Sequence, residues 1–390
     1  MRKNSIIEMN EKRQIGLYLH IPFCVKKCHY CDFCSIIDLR EKHIERYIEA
    51  MLEEINLLKA VLGNLTIDSV YIGGGTPSSI PAHYIEKLLN HVQSCFFVQK
   101  DSEVTLEVNP GTIDDKKLKT YKKNGINRIS LGVQTFDERM LKTLGRIHTK
   151  TDIDDAFEKF QKHGYSNISI DLMFNLPGQS QEMVENDLKK VQTLRPKHVS
   201  YYALKVEEGT PFHEMLENGS LRLPDEEAER LAYHMMIKVL ADMGYKQYEI
   251  SNFAKSGFES KHNLKYWNRE EYLGIGVAAH SFLNDQRFSN GQNVFEYIKK
   301  IGENKALAYD ERIQIDEKEK AWEFLILGFR KTQGIRIYDL NKMIKGNEKY
   351  YNDRISMLIG EGLIIKEEGY YKLTPLGLDL SNRVFVELMP

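Results

Sequence analysis

The fold of this chain is decided by the stretch Leu17-Tyr18-Leu19-His20-Ile21-Pro22-Phe23-Cys24-Val25-Lys26-Lys27-Cys28-His29-Tyr30-Cys31-Asp32-Phe33-Cys34. Its first part places apolar residues at every second position, which is the spacing of a β-strand. Four of the five cysteines of the chain follow with the spacing CxxxCxxCxxC. The stretch therefore predicts a strand that ends where a compact run of thiols begins.

Thiols this close together can form disulfides, a zinc site or an iron–sulfur site. The segment from Met1 to Lys12 is polar and charged and lacks the apolar core of a signal peptide, which predicts a cytoplasmic protein with reduced thiols. Zinc sites usually separate two CxxC pairs by a spacer, whereas iron–sulfur ligands often stand in one compact run. The spacing favours a cluster, with zinc and unliganded thiols as the alternatives.

The bulk composition is that of an ordinary globular enzyme. The chain has 390 residues, of which 42% are hydrophobic, and this length suggests two or three domains, or one barrel with an appendage. The net charge of −2 gives no strong attraction to nucleic acid. No apolar run has the length of a transmembrane helix, although peripheral contact with a membrane surface stays open.

Strand and helix patterns alternate along the first half of the chain. We predict strands at 15–23, 67–72, 103–108, 126–134, 167–173 and 198–204, with helical segments at 38–62, 81–95, 113–124, 151–164 and 180–194. This alternation predicts an α/β fold with a parallel sheet. Each strand ends in chemically distinctive residues, and in barrels such residues collect at one mouth. We therefore predict an incomplete (β/α)6 barrel of the TIM type.

The second half of the chain predicts a different organisation. We expect a helix at 223–244, a strand at 245–253, helices at 318–330, 337–345 and 350–361, and a hairpin at 363–373. Three helices and a β-wing make a winged-helix-like domain, whose mixed charge argues against DNA binding. The predicted division is a lead-in at 1–14, a partial barrel at 15–220, an extension and linking segment at 221–310, and the C-terminal domain at 311–390.

Several strand ends carry candidate ligand-binding residues. Glycines in Gly73-Gly74-Gly75-Thr76-Pro77 let a ligand approach the backbone closely, although a plain tight turn would also explain them. Glu107, Gln134 and Asp171 follow later strands, and buried carboxylates there need a cation, an amine or hydroxyls. Arg146 is suited to clamp a carboxylate. Salt bridges at the barrel rim are the alternative for each of these residues.

A second cluster of aromatic and polar residues stands at His262-Asn263-Leu264-Lys265-Tyr266-Trp267. A histidine beside aromatics is a candidate axial ligand and stacking surface for a porphyrin. A structural histidine is the alternative, and His20, His148 and His280 compete for the same role.

Taken together, these motifs resemble a known family. The CxxxCxxC spacing after a first strand, with Tyr30 before the third cysteine, resembles the signature of the radical S-adenosylmethionine (SAM) superfamily. Nearly the whole chain resembles the oxygen-independent coproporphyrinogen III oxidase-like (HemN-like) branch, through the segments HIPFC, GGGTP, EVNP, GVQTF, DLMFNLPGQ, SYYALKVEEGTP and GIGVAAHSF. Within that branch it is most similar to the heme chaperones of the HemW type. The reasons are a short lead-in, Phe33 in place of the oxidase's fourth cysteine, and the HNxxYW segment.

The resemblance implies specific cofactors and site residues. It implies a [4Fe-4S] cluster held by Cys24, Cys28 and Cys31, with the fourth iron open to SAM and with Cys34 as a neighbour only. The implied SAM contacts are Tyr18, Gly74, Gly75, Thr76, Glu107, Gln134, Arg146 and Asp171. The implied heme ligand is His262, and no catalytic residue is assigned.

The implied function is to bind heme and deliver it to recipient hemoproteins, such as respiratory cytochromes at the membrane surface. The alternative is an oxygen-independent coproporphyrinogen III oxidase, which decarboxylates two propionates by means of a 5′-deoxyadenosyl radical. The chain is therefore an enzyme if it is the oxidase, and a binding protein if it is the chaperone, of which we expect the chaperone. No nucleic-acid partner is expected, and a homodimer stays open.

Overall fold

The computed structural model describes residues 14–307 and 309–390, so that the predicted lead-in lies outside the described residues except for Gln14. The first half alternates strands and helices as the sequence predicts. The strands are β1 Gln14–Ile21, β2 Thr66–Gly74, β3 Phe97–Val108, β4 Arg128–Gln134, β5 Asn167–Phe174 and β6 His198–Ala203. The helices are α1 Glu41–Leu62, α2 Ala82–Cys95, α3 Asp115–Lys123, α4 Glu138–Thr143, α5 Lys150–Lys162, α6 Gln181–Leu194, α7 Pro211–Glu217 and α8 Glu226–Asp242, with a 3-10 turn at Pro77–Ser79.

The six strands β1 to β6 pair in parallel and in chain order. The burial of alternate residues of β1 shows which face of the sheet packs against the helices. Leu17, Leu19 and Ile21 are fully buried on one face, under the helices, whereas Tyr18 and His20 point to the other face. Each fully buried leucine or isoleucine stabilises the fold by about 1.5–3 kcal/mol, so the strand register is strongly fixed.

The chain after α8 extends the sheet at both edges. Its elements are β7 Lys246–Glu249, β8 Asn252–Ala254, α9 Lys261–Trp267, β9 Tyr272–Ile275, β10 His280–Leu283, β11 Gln286–Ser289, α10 Val294–Tyr297, a π-helix at Ile298–Glu303 and β12 Glu311–Gln314. The strand order is β12-β11-β10-β9-β1-β2-β3-β4-β5-β6-β8-β7. Within the described residues the two outermost strands do not pair with each other. The barrel is therefore partial, as predicted.

The predicted single strand at 245–253 is wrong, because the chain reverses within it. β7 and β8 form an antiparallel hairpin through a turn at Ile250 and Ser251. The buried carboxylate of Glu249 holds this turn, since its Oε1 accepts the Ser251 backbone N–H at 2.9 Å and the Asn252 side-chain amide at 2.5 Å. Only β8 pairs with the barrel strand β6.

The last part of the chain has its own apolar core. Its elements are α11 Glu317–Arg330, β13 Ile335–Arg336, α12 Ile337–Met343, α13 Glu348–Gly360, β14 Ile364–Glu367, β15 Tyr370–Leu373, α14 Pro375–Asp379 and α15 Ser381–Glu387. Helices α11 to α13 accompany a small sheet of strand order β13-β15-β14, whose first strand lies between α11 and α12. This is the predicted winged-helix-like arrangement.

Ion pairs join this C-terminal part to the barrel extension. The Arg269 guanidinium donates to Glu323 Oε2 at 2.9 Å, and both side chains are only 9% exposed. Lys320 pairs with Asp285 at 2.9 Å in the same contact. Among the described residues, no helix combines the length and apolar character needed to cross a bilayer.

Candidate functional site

A cavity of about 430 Å³ opens where the parallel strands end, which is the usual position of ligand sites in such barrels. Ten of the predicted site residues line it. They are Cys24, Cys28, Cys31, Gly74, Gly75, Thr76, Glu107, Gln134, Arg146 and Asp171. These residues come from six separate loops or strands, so the fold brings together residues that lie far apart in the sequence.

The three cysteines form one wall of the cavity. Backbone hydrogen bonds fix their loop, from Cys24 N–H to the Ile36 carbonyl at 2.9 Å and from Cys31 N–H to the Cys28 carbonyl at 3.3 Å. The Cys24 sulfur lies 3.6 Å from Thr76 Oγ1, and the Cys28 sulfur accepts from Arg146 Nη1 at 3.6 Å. All three are free thiols that line the cavity.

The three thiols of this wall are a donor set that fits a cluster held by three cysteines. Among residues 14–307 and 309–390, no three cysteine, histidine or carboxylate side chains are grouped so as to hold one metal ion. Burial raises the pKa of the Cys24 thiol, and it raises that of Cys31 to about 11. Cluster binding would therefore release protons from both.

Cys34 is turned away from the other thiols. Its Sγ donates to the Gln292 carbonyl at 3.1 Å, and it does not line the cavity. The prediction that it is a neighbour rather than a ligand stays a prediction, and this geometry agrees with it.

The Gly73-Gly74-Gly75 turn packs too tightly against its surroundings to carry side chains. Gly74 has a φ of +112°, and a Cβ there would lie 2.7 Å from the His20 ring. A Cβ on Gly75 would lie 3.0 Å from the Cys24 sulfur. The backbone of this turn therefore forms a wall of the cavity directly beside the cysteine loop.

Two half-buried carboxylates lie on the barrel interior. Glu107 accepts hydrogen bonds from the Tyr71 hydroxyl at 2.8 Å and from the Gly74 N–H at 3.2 Å, and burial raises its pKa to about 7. Asp171 accepts from the Ser130 hydroxyl at 2.8 Å, and burial raises its pKa as well. These groups can accept hydrogen bonds from amines or hydroxyls of a ligand.

Arg146 and Gln134 also line the cavity. Arg146 Nη2 donates to Asn109 Oδ1 and to the Gly132 carbonyl, both at 2.7 Å, so its guanidinium is held in place before any ligand arrives. Gln134 has a φ of +68° at an irregularity in the pairing of β4 with β5. Such strained positions and bulges are common beside functional sites.

The sequence analysis missed several cavity residues, of which Arg128 is the most informative. Arg128 is 1% exposed, it lines the cavity, and its Nε has no hydrogen-bond partner among the described residues. A buried guanidinium with an unused donor suits a polar or anionic ligand group. The available signal was a lone cation at the start of an otherwise apolar strand. Tyr71 and Asn109, also missed, line the same cavity.

Two predicted site residues are not brought to the cavity. Tyr18 lies behind its wall, where its hydroxyl contacts His20 Nδ1 at 3.0 Å. His262 is 1% exposed, and both of its ring nitrogens are engaged, Nδ1 with Ser69 Oγ and Nε2 with the Tyr266 hydroxyl, each at 3.0 Å. Burial lowers the pKa of His262 to about 3, so the ring is neutral. An engaged, buried ring does not fit the role of an axial iron ligand.

The segment around His262 instead joins the barrel to the C-terminal part. The Glu103 carboxylate accepts the backbone N–H groups of Lys261 and His262, at 3.1 and 3.2 Å, at the start of α9. At the other end of α9 the Arg330 guanidinium lies over the Trp267 ring, 4.4 Å from its centroid. The helix is thus anchored on both sides.

Family models match two parts of the chain. The model of the radical SAM superfamily matches residues 18–191, and that of the HemN C-terminal domain matches residues 315–380.

Curated relatives match along nearly the whole length. The chain is 38% identical to the heme chaperone HemW of Lactococcus lactis subsp. lactis, over 95% of this chain and 96% of that protein. It is 37% identical to the protein of the same name from Bacillus subtilis, over 94% and 97%. For the Escherichia coli protein of that name the identity is 32%, over 93% and 95%.

A solved structure shares the fold. Coproporphyrinogen III oxidase (HemN) from Escherichia coli, described as a radical SAM enzyme, superposes with a TM-score of 0.85 over 97% of this chain and 90% of that chain. The sequence identity of 21% limits this likeness to the fold.

Proposed function

The chain belongs to the family of proteins named heme chaperone HemW, within the radical SAM superfamily, and from that membership we propose that it binds heme and transfers it to recipient respiratory hemoproteins. The observation that carries the proposal is the identity to proteins of that name along both the barrel and the C-terminal part. Recipients at the membrane surface fit this role.

The proposed cofactors are a [4Fe-4S] cluster and SAM. Cys24, Cys28 and Cys31 would hold the cluster through three ligands, which leaves one iron for the amino and carboxylate groups of SAM. When bound, such a cluster would be able to supply an electron to SAM. The support for this is the cysteine wall beside the glycine turn and the guanidinium of Arg146, which is positioned next to Cys28.

The chain's own residues would then orient SAM. The Gly74 to Thr76 backbone offers polar groups beside Cys24, and Glu107 and Asp171 offer acceptors to the SAM amine and ribose hydroxyls. The contacts of SAM with Gln134 and Arg146 belong to the same proposal.

A coproporphyrinogen III oxidase is the second candidate, favoured by the shared fold with HemN. The fold does not separate the two functions, because sites grafted on one fold perform different tasks. What argues for the chaperone is Phe33, which stands where the oxidase pattern has a cysteine.

The experiment that separates the two candidates supplies the cluster-reconstituted protein with coproporphyrinogen III, SAM and a reductant. We expect no sustained formation of protoporphyrinogen IX, while an oxidase of the HemN type, run in parallel, converts the same substrate. Sustained turnover by this protein would refute the chaperone proposal.

A further inference from the structure

A heme carrier needs a nitrogen or sulfur atom that the heme iron can reach. In most of the histidines named from the sequence, the ring nitrogens are already hydrogen-bonded or buried. His20 has both ring nitrogens engaged, with the Tyr18 hydroxyl at 3.0 Å and the Cys34 carbonyl at 2.8 Å. His262 is engaged in the same way. His148 is buried against the Val133 carbonyl, 3.3 Å from its Nε2.

His43, which the sequence analysis did not single out, has the geometry of a metal ligand. It lies in the first turn of α1, and its Nδ1 donates to Asp38 Oδ2. Its Nε2 has no hydrogen-bond partner among the described residues and is not a buried atom. Histidines that bind metals commonly donate one ring N–H to a carboxylate and thereby present the other nitrogen to the metal.

The Asp38 carboxylate is itself held in place by Arg40. Arg40 donates to it from Nε at 3.0 Å and from Nη2 at 2.8 Å. Because Asp38 engages Nδ1, the His43 ring is oriented with its other nitrogen, Nε2, pointing away from the carboxylate.

Exposed apolar side chains lie beside this histidine or close to it in the chain. The Phe295 ring meets the His43 ring edge to face, with 5.7 Å between centroids, and Phe295 is 53% exposed. Ile37 and Leu39 flank Asp38 in the chain and are 64% and 38% exposed. We call Ile37, Leu39, His43 and Phe295 the His43 patch. Its apolar surface suits the face of a porphyrin ring.

Two positively charged side chains near the His43 patch suit the propionates of heme. Lys42 precedes His43, and Lys299 follows Phe295 by about one helical turn. Both are exposed, and neither has an ion-pair partner within residues 14–307 and 309–390. Heme carries two propionates, and two free ammonium groups match them.

The His43 patch adjoins the cysteine loop. The Cys34 sulfur donates to the Gln292 carbonyl at 3.1 Å, three residues before Phe295. From these observations we propose that His43 is an axial ligand of heme, which docks with its ring on the His43 patch and its propionates at Lys42 and Lys299. This inference rests on the proposed function, because it names the site of the heme that the chaperone would carry.

The test compares hemin with iron-free protoporphyrin IX as paired probes of the full-length, cluster-reconstituted protein. His43→Ala should weaken hemin binding, and it should remove the electron paramagnetic resonance signature of histidine-ligated ferric heme. Added imidazole should restore that signature. Asp38→Asn should weaken hemin binding by about 10- to 100-fold, as expected for a partner that orients a ligating histidine. Neither change should alter the affinity for protoporphyrin IX, whereas Phe295→Ala should weaken binding of both probes.

The matched control is His163→Ala, because His163 also contacts a carboxylate, Asp115, with Nε2 2.8 Å from Oδ1. It should leave both probes unaffected. An unchanged hemin affinity and spectrum in His43→Ala would overturn the inference. So would loss of the signature in His280→Ala alone, since the Nδ1 of that exposed residue contacts the Ala278 carbonyl and its Nε2 has no partner in the described part of the chain. If the unaltered protein binds no hemin, the proposed heme-chaperone function fails as well. If it binds hemin but His43→Ala has no effect, only the His43 site fails.

Discussion

Serine in place of Cys24, Cys28 or Cys31 should abolish the iron–sulfur cluster, whereas Cys34→Ser should leave it intact. The reason is the geometry of the four thiols. The first three line the cavity beside Thr76 and Arg146. The Cys34 sulfur instead donates a hydrogen bond to the Gln292 carbonyl. With only three ligands available, loss of one leaves two corners of a cubane without a protein donor. Visible absorbance and iron and sulfide content after reconstitution measure the effect.

The matched control for this series is Cys95→Ser. Cys95 is a free thiol at the end of α2, near His91, and does not line the cavity. It should retain full iron and sulfide content. Loss of the cluster in Cys34→Ser would contradict the assignment of three ligands and an open iron.

The second large effect is expected for His262→Ala, and it is an effect on stability. Removing the ring leaves a cavity and deprives the Ser69 and Tyr266 hydroxyls of their partner. Together these losses should lower the free energy of unfolding by about 3 kcal/mol. Denaturant unfolding followed by far-UV circular dichroism measures this change. Under native conditions the folded protein should still show histidine-ligated heme.

His280→Ala is the control for this variant, because an exposed histidine should change stability by only about 0.5 kcal/mol or less. The opposite pattern for His262→Ala, unchanged stability with loss of heme ligation, would contradict the structural role given to the His262 segment.

The sequence predicts the barrel well because its signals are local. Alternating apolar residues mark each of β1 to β6. Because a helix follows each strand, successive strands can run in the same direction and form a parallel sheet. The pairing of β9 with β1 is not predictable in this way, because it joins residues that lie far apart in the chain. The β7–β8 hairpin is missed for another reason, since its turn depends on the carboxylate of Glu249 and lacks a glycine or proline signal.

The same contrast applies to the site. The cysteines and the glycine turn are conspicuous in the sequence, and the structure brings them to one cavity. His43 is not conspicuous, because its value as a ligand comes from Asp38, which holds its Nδ1, and from Phe295, which lies far away in the chain. His262 stands out among aromatics, but only the fold reveals that Ser69 and Tyr266 occupy both of its nitrogens.

The most direct test of the account is transfer of heme from this protein to an acceptor. The hemin-loaded protein is mixed with an apo-cytochrome that binds heme, and the absorbance of the acceptor is followed after the two proteins are separated. A carrier should give the acceptor its heme faster than free hemin does in the presence of a competing heme-binding protein. Retention of heme by this protein, or transfer no faster than release into solution, would contradict the account.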